Sequence, residues 1–200
     1  MTKRRLFLTR HGETPQSLAS IVQGQTDTRL TSKGEMDSVV LGDHLSRHQN
    51  IQTIMTSDLS RAVMTARRIA QRITTPPRIV EVAALRELAC GVLEGQPFSR
   101  LKDLRLRDPR GSEGAAPPGG ESLAAMRRRV LEWYLGFVAG VNNETLIVAH
   151  KGPLAVILAA IAPTLPAASV RMALDHSSLV ALELNSSGTA SAVEVTRPCK

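Results

Sequence analysis

An uninterrupted apolar run, Leu146-Ile147-Val148-Ala149, is the feature that most restricts the fold of this 200-residue chain. A strand that carries apolar side chains on both faces is typical of a parallel sheet covered by helices on each side. Three other strand-like segments, at about residues 4–10, 51–56 and 78–82, alternate with segments of helical pattern. The alternation predicts an α/β fold, a three-layer α/β/α sandwich with a mostly parallel central sheet.

The helices are predicted from capping residues and from apolar positions that recur every three or four residues. We predict a helix capped by Thr31 or Ser32 that runs to about His48, a helix capped by Ser57-Asp58, a short basic helix at about 98–107, a helix with Leu123, Met126, Val130, Trp133 and Phe137 on one face, and a helix from Gly152 to about Ala162. Two closing strands, at 177–184 and 190–195, are expected to form a hairpin around Ser186-Ser187-Gly188.

The length of the chain fits one domain spanning residues 1–200. Residues 85–120 are rich in Gly and Pro and lack a long periodic pattern. Irregular segments of this length in compact domains are commonly functional covers of a binding site. We therefore expect residues 88–120 to form a variable lid segment.

The lengths of the apolar runs and the number of cysteines indicate the cellular compartment expected for this chain. No run is long enough to cross a bilayer, and residues 1–6 lack the apolar core of a signal peptide. The two cysteines, Cys90 and Cys199, do not suggest a disulfide framework. The expectation is a cytoplasmic, reduced protein with no membrane partner, present as a monomer or homodimer.

The chain has a formal net charge of +7, and most of its 25 basic residues are Arg. The planar guanidinium binds oxyanions through paired hydrogen bonds, which favours a phosphate-containing ligand. Nucleic acid is disfavoured because the basic residues are dispersed and base-stacking side chains are scarce, with three Phe, one Trp and one Tyr.

Two histidines follow predicted strands, each with a glycine within two residues. His11 comes after the first strand and directly after Arg10, and His150 ends the apolar run. Ligands of parallel sheets bind at the carboxyl ends of the strands, so the two side chains are expected to meet there. Arg61, near the start of a helix, and Glu87, just after the third strand, are expected at the same edge.

These residues lie in five motifs that together resemble the histidine phosphatase superfamily, in the branch of cofactor-dependent phosphoglycerate mutases and bacterial broad-specificity phosphatases. The resemblance covers nearly the whole chain at similar spacing. The motifs are Arg10-His11-Gly12-Glu13-Thr14, Ser57-Asp58-Leu59-x-Arg61-Ala62-x-x-Thr65-Ala66, Leu85-x-Glu87-x-x-x-Gly91-x-x-Glu94-Gly95, Pro118-Gly119-Gly120-Glu121-Ser122 and Val148-x-His150-x-Gly152.

The resemblance implies a metal-independent phosphatase that needs no cofactor and acts on small phosphate esters. In this interpretation His11 attacks phosphorus and becomes a phosphohistidine, while Glu87 protonates the leaving oxygen and later activates water. Arg10, Arg61 and His150 stabilise the phosphoryl charge. The expected substrate-binding residues are Ser17, Gln23, Gly24 and Lys151.

Four positions depart from the family's pattern, and two of them, Asp37 and Met64, are interpreted as packing or surface changes. Ser17 stands where relatives often have Asn, and its shorter side chain has less reach toward a phosphate. Lys151 stands where the family usually has Gly, and where the acid-phosphatase branch has the proton-donating Asp, which leaves Glu87 as the donor. Lys151 either adds positive potential for a substrate with a second acidic group or points to solvent.

Several alternatives were weighed. Phosphoglycerate mutase activity is disfavoured because the segment after Glu87 is short for the lid of a mutase, while an α-ribazole phosphatase stays open. A non-catalytic phosphate-binding module would be expected to lack one of the five catalytic positions. Cysteine phosphatase chemistry is disfavoured because Gln96, not Arg, lies six residues after Cys90. His44 and His48 lie four residues apart on a predicted helix, and a solvated helix face is favoured over a shared metal site.

Overall fold

The computed structural model describes residues 4–48, 50–102, 115–140, 144–165, 170, 174–185 and 188–199. The described part contains six strands and five α-helices. The strands are β1 (Arg4–Arg10), β2 (Thr53–Thr56), β3 (Arg78–Glu81), β4 (Thr145–Ala149), β5 (Leu179–Leu184) and β6 (Ala190–Thr196). The helices are α1 (Pro15–Leu18), α2 (Ser32–His48), α3 (Ser60–Ala70), α4 (Leu123–Val138) and α5 (Lys151–Ile161), with 3-10 helices at Ala83–Leu85, Gly91–Leu93 and Phe98–Lys102.

The strands form one sheet in the order β3-β2-β4-β1-β5-β6. The first four strands in that order are parallel, and β5 and β6 add an antiparallel edge. Arg10 lies beside Ala149 in the register of β1 and β4, and Thr56 lies beside Val148 in the register of β2 and β4. The carboxyl ends of these three strands therefore coincide at one edge.

Alternate side chains of the central strands pack into two separate cores. Leu146 and Val148 pack with α2 and α3 on one face of the sheet, whereas Ile147 and Ala149 pack with α4 and α5 on the other. Every residue of β4 is buried. The prediction of a three-layer sandwich around a strand covered on both faces is confirmed.

Helix α4 follows its predicted apolar pattern with a small rotation. Met126 and Val130 are buried, as expected, and so are Tyr134 and Val138. Trp133 and Phe137 lie at the margin of the core and stack with their ring centroids 5.0 Å apart. The buried residues are four positions apart, whereas the predicted face alternated steps of three and four. The buried face therefore includes Tyr134 and Val138 in place of Trp133 and Phe137.

The predicted start of α3 is wrong. The residue that precedes the helix is Leu59, and no side chain caps the helix. Ser57 instead contacts a histidine of the site described below, and Asp58 accepts a hydrogen bond from Arg86 Nε at 2.7 Å. Ser57 and Asp58, which the local sequence pattern predicts to cap the helix, instead form hydrogen bonds with residues distant in the chain.

The segment 88–120 is described only at its two ends. Phe98–Lys102 forms a 3-10 helix where the sequence predicted the start of a basic helix. Residues 103–114 lie outside the described residues, so the rest of that helix and the lid prediction stay predictions. Among the helices of the described ranges, none has the length and apolar composition needed to cross a bilayer.

Candidate active site

The aligned carboxyl ends of the parallel strands bring distant residues together. His11 follows β1, Ser57 follows β2 and His150 follows β4, while Glu87 lies six residues beyond β3. The ring centroids of His11 and His150 are 5.0 Å apart. The backbone N–H of His11 donates to the Ala149 carbonyl at 2.9 Å, which extends the pairing of β1 and β4 into the site. The predicted meeting of the two histidines is confirmed.

These residues surround a cavity of about 510 Å³. Eight of the nine predicted site residues line it, namely Arg10, His11, Ser17, Gln23, Gly24, Arg61, Glu87 and Lys151. The ninth, His150, is fully buried beside His11. A cleft of this size suits a small organic ligand rather than a macromolecule.

His11 is held as a neutral ring with one free nitrogen. Its Nδ1 lies 2.8 Å from the carbonyl oxygen of Gly12, which can only accept, so Nδ1 carries the proton. Nε2, on the opposite edge of the ring, keeps its lone pair. Burial lowers the pKa of His11 well below its usual value, and nearby His150, Arg10 and Arg61 lower it further. The ring is therefore an available nucleophile at neutral pH.

Two arginines supply fixed positive charge next to this ring. Arg61 is buried and donates to the carbonyl oxygens of Thr26 and Gly24, at 2.9 and 2.7 Å. Its Nε has no partner among the described residues, and neither does the buried Nε of Arg10. Burial lowers the pKa of Arg61 to about 10, so this guanidinium stays charged at neutral pH.

His150 presents a single donor of defined orientation. Its Nε2 lies 2.9 Å from Ser57 Oγ, which also accepts from the N–H of Leu59 at 3.3 Å. We assign the hydroxyl proton of Ser57 to Nε2, the acceptor that faces it among the described residues, and this assignment places the ring's own proton on Nδ1. That nitrogen is buried with no partner among the described residues. Burial lowers the pKa of His150 well below its usual value, so the ring is a neutral donor.

Three side chains near His11 each carry a buried nitrogen without a partner among the described residues: Nε of Arg10, Nε of Arg61 and Nδ1 of His150. Buried donors without partners are rare in folded proteins because each one costs about 1–3 kcal/mol. A tetrahedral oxyanion would satisfy such donors, and two of them belong to cations. The arrangement has the chemistry of a phosphoryl-binding site.

Glu87 is the acidic side chain of the cavity wall. Its Oε1 accepts from the backbone N–H groups of Leu88 and Gly152, at 3.0 and 3.2 Å. A Cβ atom at position 152 would lie 2.3 Å from Oε1, so a larger residue there would displace the Glu87 carboxyl group from its present position. Gln25 Nε2 donates to the Glu87 carbonyl at 3.0 Å and holds its backbone.

The substrate-binding residues predicted from the sequence differ in how freely they face the cavity. The hydroxyl of Ser17 donates to the Thr14 carbonyl and accepts from the Thr14 N–H, so it is committed to capping α1. Gln23 Oε1 accepts from the Thr14 hydroxyl, which leaves the amide nitrogen of Gln23 for a ligand. Gly24 contributes backbone, and Lys151 is exposed at the cavity mouth.

His176 is a site residue that sequence reasoning missed. Its Nδ1 donates to the His11 carbonyl at 2.8 Å, and its ring centroid lies 5.1 Å from that of His11. Burial, followed by the charge of Arg10, lowers its pKa to about 4. The available signal was its position directly before the predicted strand 177–184. In the structure β5 is antiparallel to β1, so the start of β5 lies at the edge where β1 ends.

Metal ligation was tested on side-chain clusters. Within the described ranges, no three or more His, Cys, Asp or Glu side chains are grouped so as to hold a metal ion. The side chain of His48 lies outside the described residues, so the pairing of His44 and His48 is not addressed.

Sequence comparison gives the family. The model of the histidine phosphatase superfamily (branch 1) matches residues 6–195. A protein of Yersinia enterocolitica with the name "Probable phosphoglycerate mutase GpmB" is 36% identical over 185 residues, which covers 87% of this chain and 82% of the relative.

Solved structures agree in fold over almost the whole chain. The α-ribazole phosphatase of Shigella flexneri matches with a TM-score of 0.78 and 26% identity, covering 96% of both chains. A mycobacterial glucosyl-3-phosphoglycerate phosphatase matches with a TM-score of 0.74 and 29% identity, covering 97% of this chain and 98% of the other. The chain therefore belongs to the histidine phosphatase superfamily, branch 1, as an enzyme of the phosphatase type.

Proposed function

We propose that this chain is a phosphomonoesterase that hydrolyses small phosphate esters through a phosphohistidine at His11, without a metal ion. One observation carries the proposal: a neutral histidine with its proton on Nδ1 lines a small cavity, next to three side chains that each carry a buried donor without a partner among the described residues. The donors provide sites for the phosphoryl oxygens, and Nε2 provides the nucleophile.

In the first step, Nε2 of His11 attacks phosphorus and the bond from phosphorus to the ester oxygen breaks. Glu87, in its acid form, gives a proton to the departing oxygen, so the product leaves as a neutral alcohol. Arg10, Arg61 and the Nδ1–H of His150 stabilise the phosphoryl oxygens as charge shifts during transfer. Because these donors are already held in place by the fold, they do not have to reorient during phosphoryl transfer.

In the second step, water attacks the phosphohistidine and the bond from phosphorus to nitrogen breaks. The Glu87 carboxylate accepts a proton from that water, which restores its acid form. His11 returns to the neutral state, and inorganic phosphate leaves. The sum of both steps is ester plus water giving alcohol plus phosphate.

Two narrower activities have support from named relatives. The relative named as a probable phosphoglycerate mutase favours transfer of the phosphoryl group back to a hydroxyl. The solved α-ribazole phosphatase favours hydrolysis of α-ribazole phosphate. We favour hydrolysis in general, because residues 88–120 are short for the cover that must exclude water from a mutase intermediate.

The test is turnover of p-nitrophenyl phosphate in EDTA by the wild type and by His11→Ala. We expect hydrolysis by the wild type and a loss of at least about 10³-fold in the variant, because the nucleophile is absent. Rapid quenching is expected to trap a phosphoenzyme that acid destroys and base preserves. His44→Ala is the matched control, since His44 lies on α2 outside the cavity.

Two results would contradict the proposal. Full activity in His11→Ala would remove His11 as the nucleophile. Conversion of 3-phosphoglycerate to 2-phosphoglycerate without release of phosphate would identify a mutase instead.

A further inference from the structure

One wall of the cavity is apolar. It is formed by six side chains, which we call the apolar wall: Ile21, Val22, Leu88, Cys90, Phe98 and Leu101. The charged lining residues in the described ranges are Arg10, Arg61 and Glu87 of the proposed phosphoryl site, and Lys151 at the mouth. The ligand surface beyond the phosphoryl group thus meets carbon and sulfur atoms for the most part.

The backbone holds this wall in place. The N–H of Val22 donates to the Gln96 carbonyl at 2.9 Å, and the N–H of Gly95 donates to the Val22 carbonyl at 2.9 Å. The N–H of Phe98 donates to the Ser20 carbonyl at 2.8 Å. Two distant segments are tied together by these bonds, so the wall is formed before any ligand arrives, which lowers the entropy lost on binding.

Phe98 is the most informative member of the wall. It is one of only three phenylalanines in the chain, yet 46% of its surface is exposed. Large apolar side chains that stay exposed at a cavity are typical of ligand-binding surfaces. Contact between the Phe98 ring and an apolar ligand would remove apolar surface of the ring and of the ligand from water, which favours binding.

Cys90 belongs to the wall as an apolar group. It is buried, and burial raises the pKa of its thiol to about 12. The side chain is therefore neutral at physiological pH and behaves as a small hydrophobe.

We propose that the alcohol part of the substrate is an aryl or medium-length alkyl group seated against the apolar wall. This inference rests on the phosphatase function proposed above, and it names the substrate class for that site. Lys151 is exposed at the mouth, where solvent screens its charge, so its attraction for a second acidic group is a smaller effect.

The test compares ethyl phosphate with hexyl phosphate. Both esters release a primary alcohol, so their reactivity is alike and a difference in kcat/KM reports contact with the added chain. We expect hexyl phosphate to have a kcat/KM at least about tenfold higher, since the additional methylenes leave water. Glycerol 3-phosphate and 3-phosphoglycerate are expected to fall below hexyl phosphate.

Phe98→Ala should reduce the ratio of hexyl to ethyl kcat/KM by roughly threefold or more, because the exposed ring is lost from the wall. Val92→Ala is the matched control. Val92 is 63% exposed in the neighbouring Gly91–Leu93 turn and does not line the cavity. Its removal should leave the ratio unchanged.

A binding measurement separates this proposal from the proposed function. Titration of the wild type with ethylphosphonate and hexylphosphonate, which cannot be hydrolysed, should show about tenfold tighter binding of the hexyl compound. If no ester turns over but this preference is found, the phosphatase proposal fails and the apolar subsite stands. If esters are hydrolysed with equal kcat/KM for both chains, or if Phe98→Ala keeps the wild-type ratio, the apolar subsite is overturned.

Discussion

Ser57 determines which nitrogen of His150 is available to the substrate. With the hydroxyl proton of Ser57 assigned to His150 Nε2, the ring proton lies on Nδ1, which is then the donor for a substrate oxygen. Hydrogen bonds that orient functional histidines in metal sites contribute about 10- to 100-fold. We expect Ser57→Ala to reduce kcat by a similar factor, and to weaken inhibition by vanadate more than inhibition by phosphate.

Ser57→Thr is the conservative control, because it restores the hydroxyl and should recover most of the lost activity. The vanadate comparison separates positioning from simple loss of stability. A lower melting temperature in Ser57→Ala with unchanged kcat and vanadate affinity would contradict the assignment.

Two site residues, Ser57 and His176, were not assigned to the site from the sequence because their partners are distant in the chain. Ser57 resembles a helix cap in local sequence, but its partner His150 lies 93 positions away. His176 contacts His11 from 165 positions away, across an antiparallel pairing. His11, Glu87 and Arg61 were recognised because each lies in a local motif with its own chemistry. Long-range hydrogen bonds leave no such periodic pattern.

At the level of elements, helix α4 positions the proposed proton donor without entering the cavity. Arg129 Nη1 donates to the Ala84 carbonyl at 2.8 Å, and Nη2 donates to the Glu87 carbonyl at 3.1 Å. The same guanidinium is paired with Glu121, whose Oε1 accepts from the Ala89 N–H at 3.0 Å. Hydrogen bonds from Arg129 and from its partner Glu121 therefore connect the backbone of residues 84–89 to α4.

Arg129→Met should displace Glu87 and weaken protonation of the leaving group. We expect kcat/KM for an alkyl phosphate to fall by roughly 10- to 100-fold, within the range of a general acid. For p-nitrophenyl phosphate the fall should be less than about threefold, because nitrophenolate leaves without a proton. The measurement is kcat/KM for both esters, which reports the steps up to phosphoryl transfer.

Arg128→Met provides the matched control, since Arg128 is the adjacent arginine on α4 and is exposed. It should leave both values of kcat/KM near those of the wild type. An equal loss for both esters in Arg129→Met would argue for general disruption of the site rather than for a misplaced acid.

The positions of strands and helices could be predicted where apolar residues recur at regular intervals in the sequence. β1 and β4 match their predicted ranges because apolar side chains must fill cores on both faces of the sheet. α2 ends at His48 as predicted. The 3-10 turns at Ala83–Leu85 and Gly91–Leu93 were not predicted, because they depend on local backbone contacts. The Glu94 carboxylate, which accepts from the backbone N–H groups of Gln25 and Cys90, lies at the end of the second turn.

In the molecule as a whole, the site places neutral imidazoles beside fixed cations. Burial lowers the pKa of His11, His150 and His176 in the folded state. The unfolded chain, with ordinary imidazole pKa values near 6.5, therefore binds more protons as the pH falls below that value. The stability associated with these groups is fully present above about pH 6.5 and is lost as the pH falls toward the folded-state pKa.

His176→Asn tests this linkage at one position. Asn keeps an N–H donor for the His11 carbonyl but cannot be protonated, so the pH-dependent contribution disappears while the hydrogen bond is conserved. Between about pH 6.5 and 4, the free energy of unfolding should fall more steeply in the wild type, by up to about 1.4 kcal/mol per pH unit. Urea unfolding of both proteins from pH 8 to 4.5 measures the difference. The difference in free energy of unfolding between the two proteins should be constant above pH 7 and should shift progressively in favour of the variant below pH 6.5. If the two free energies instead change in parallel with pH over the whole range, the imidazole of His176 is not held neutral by folding.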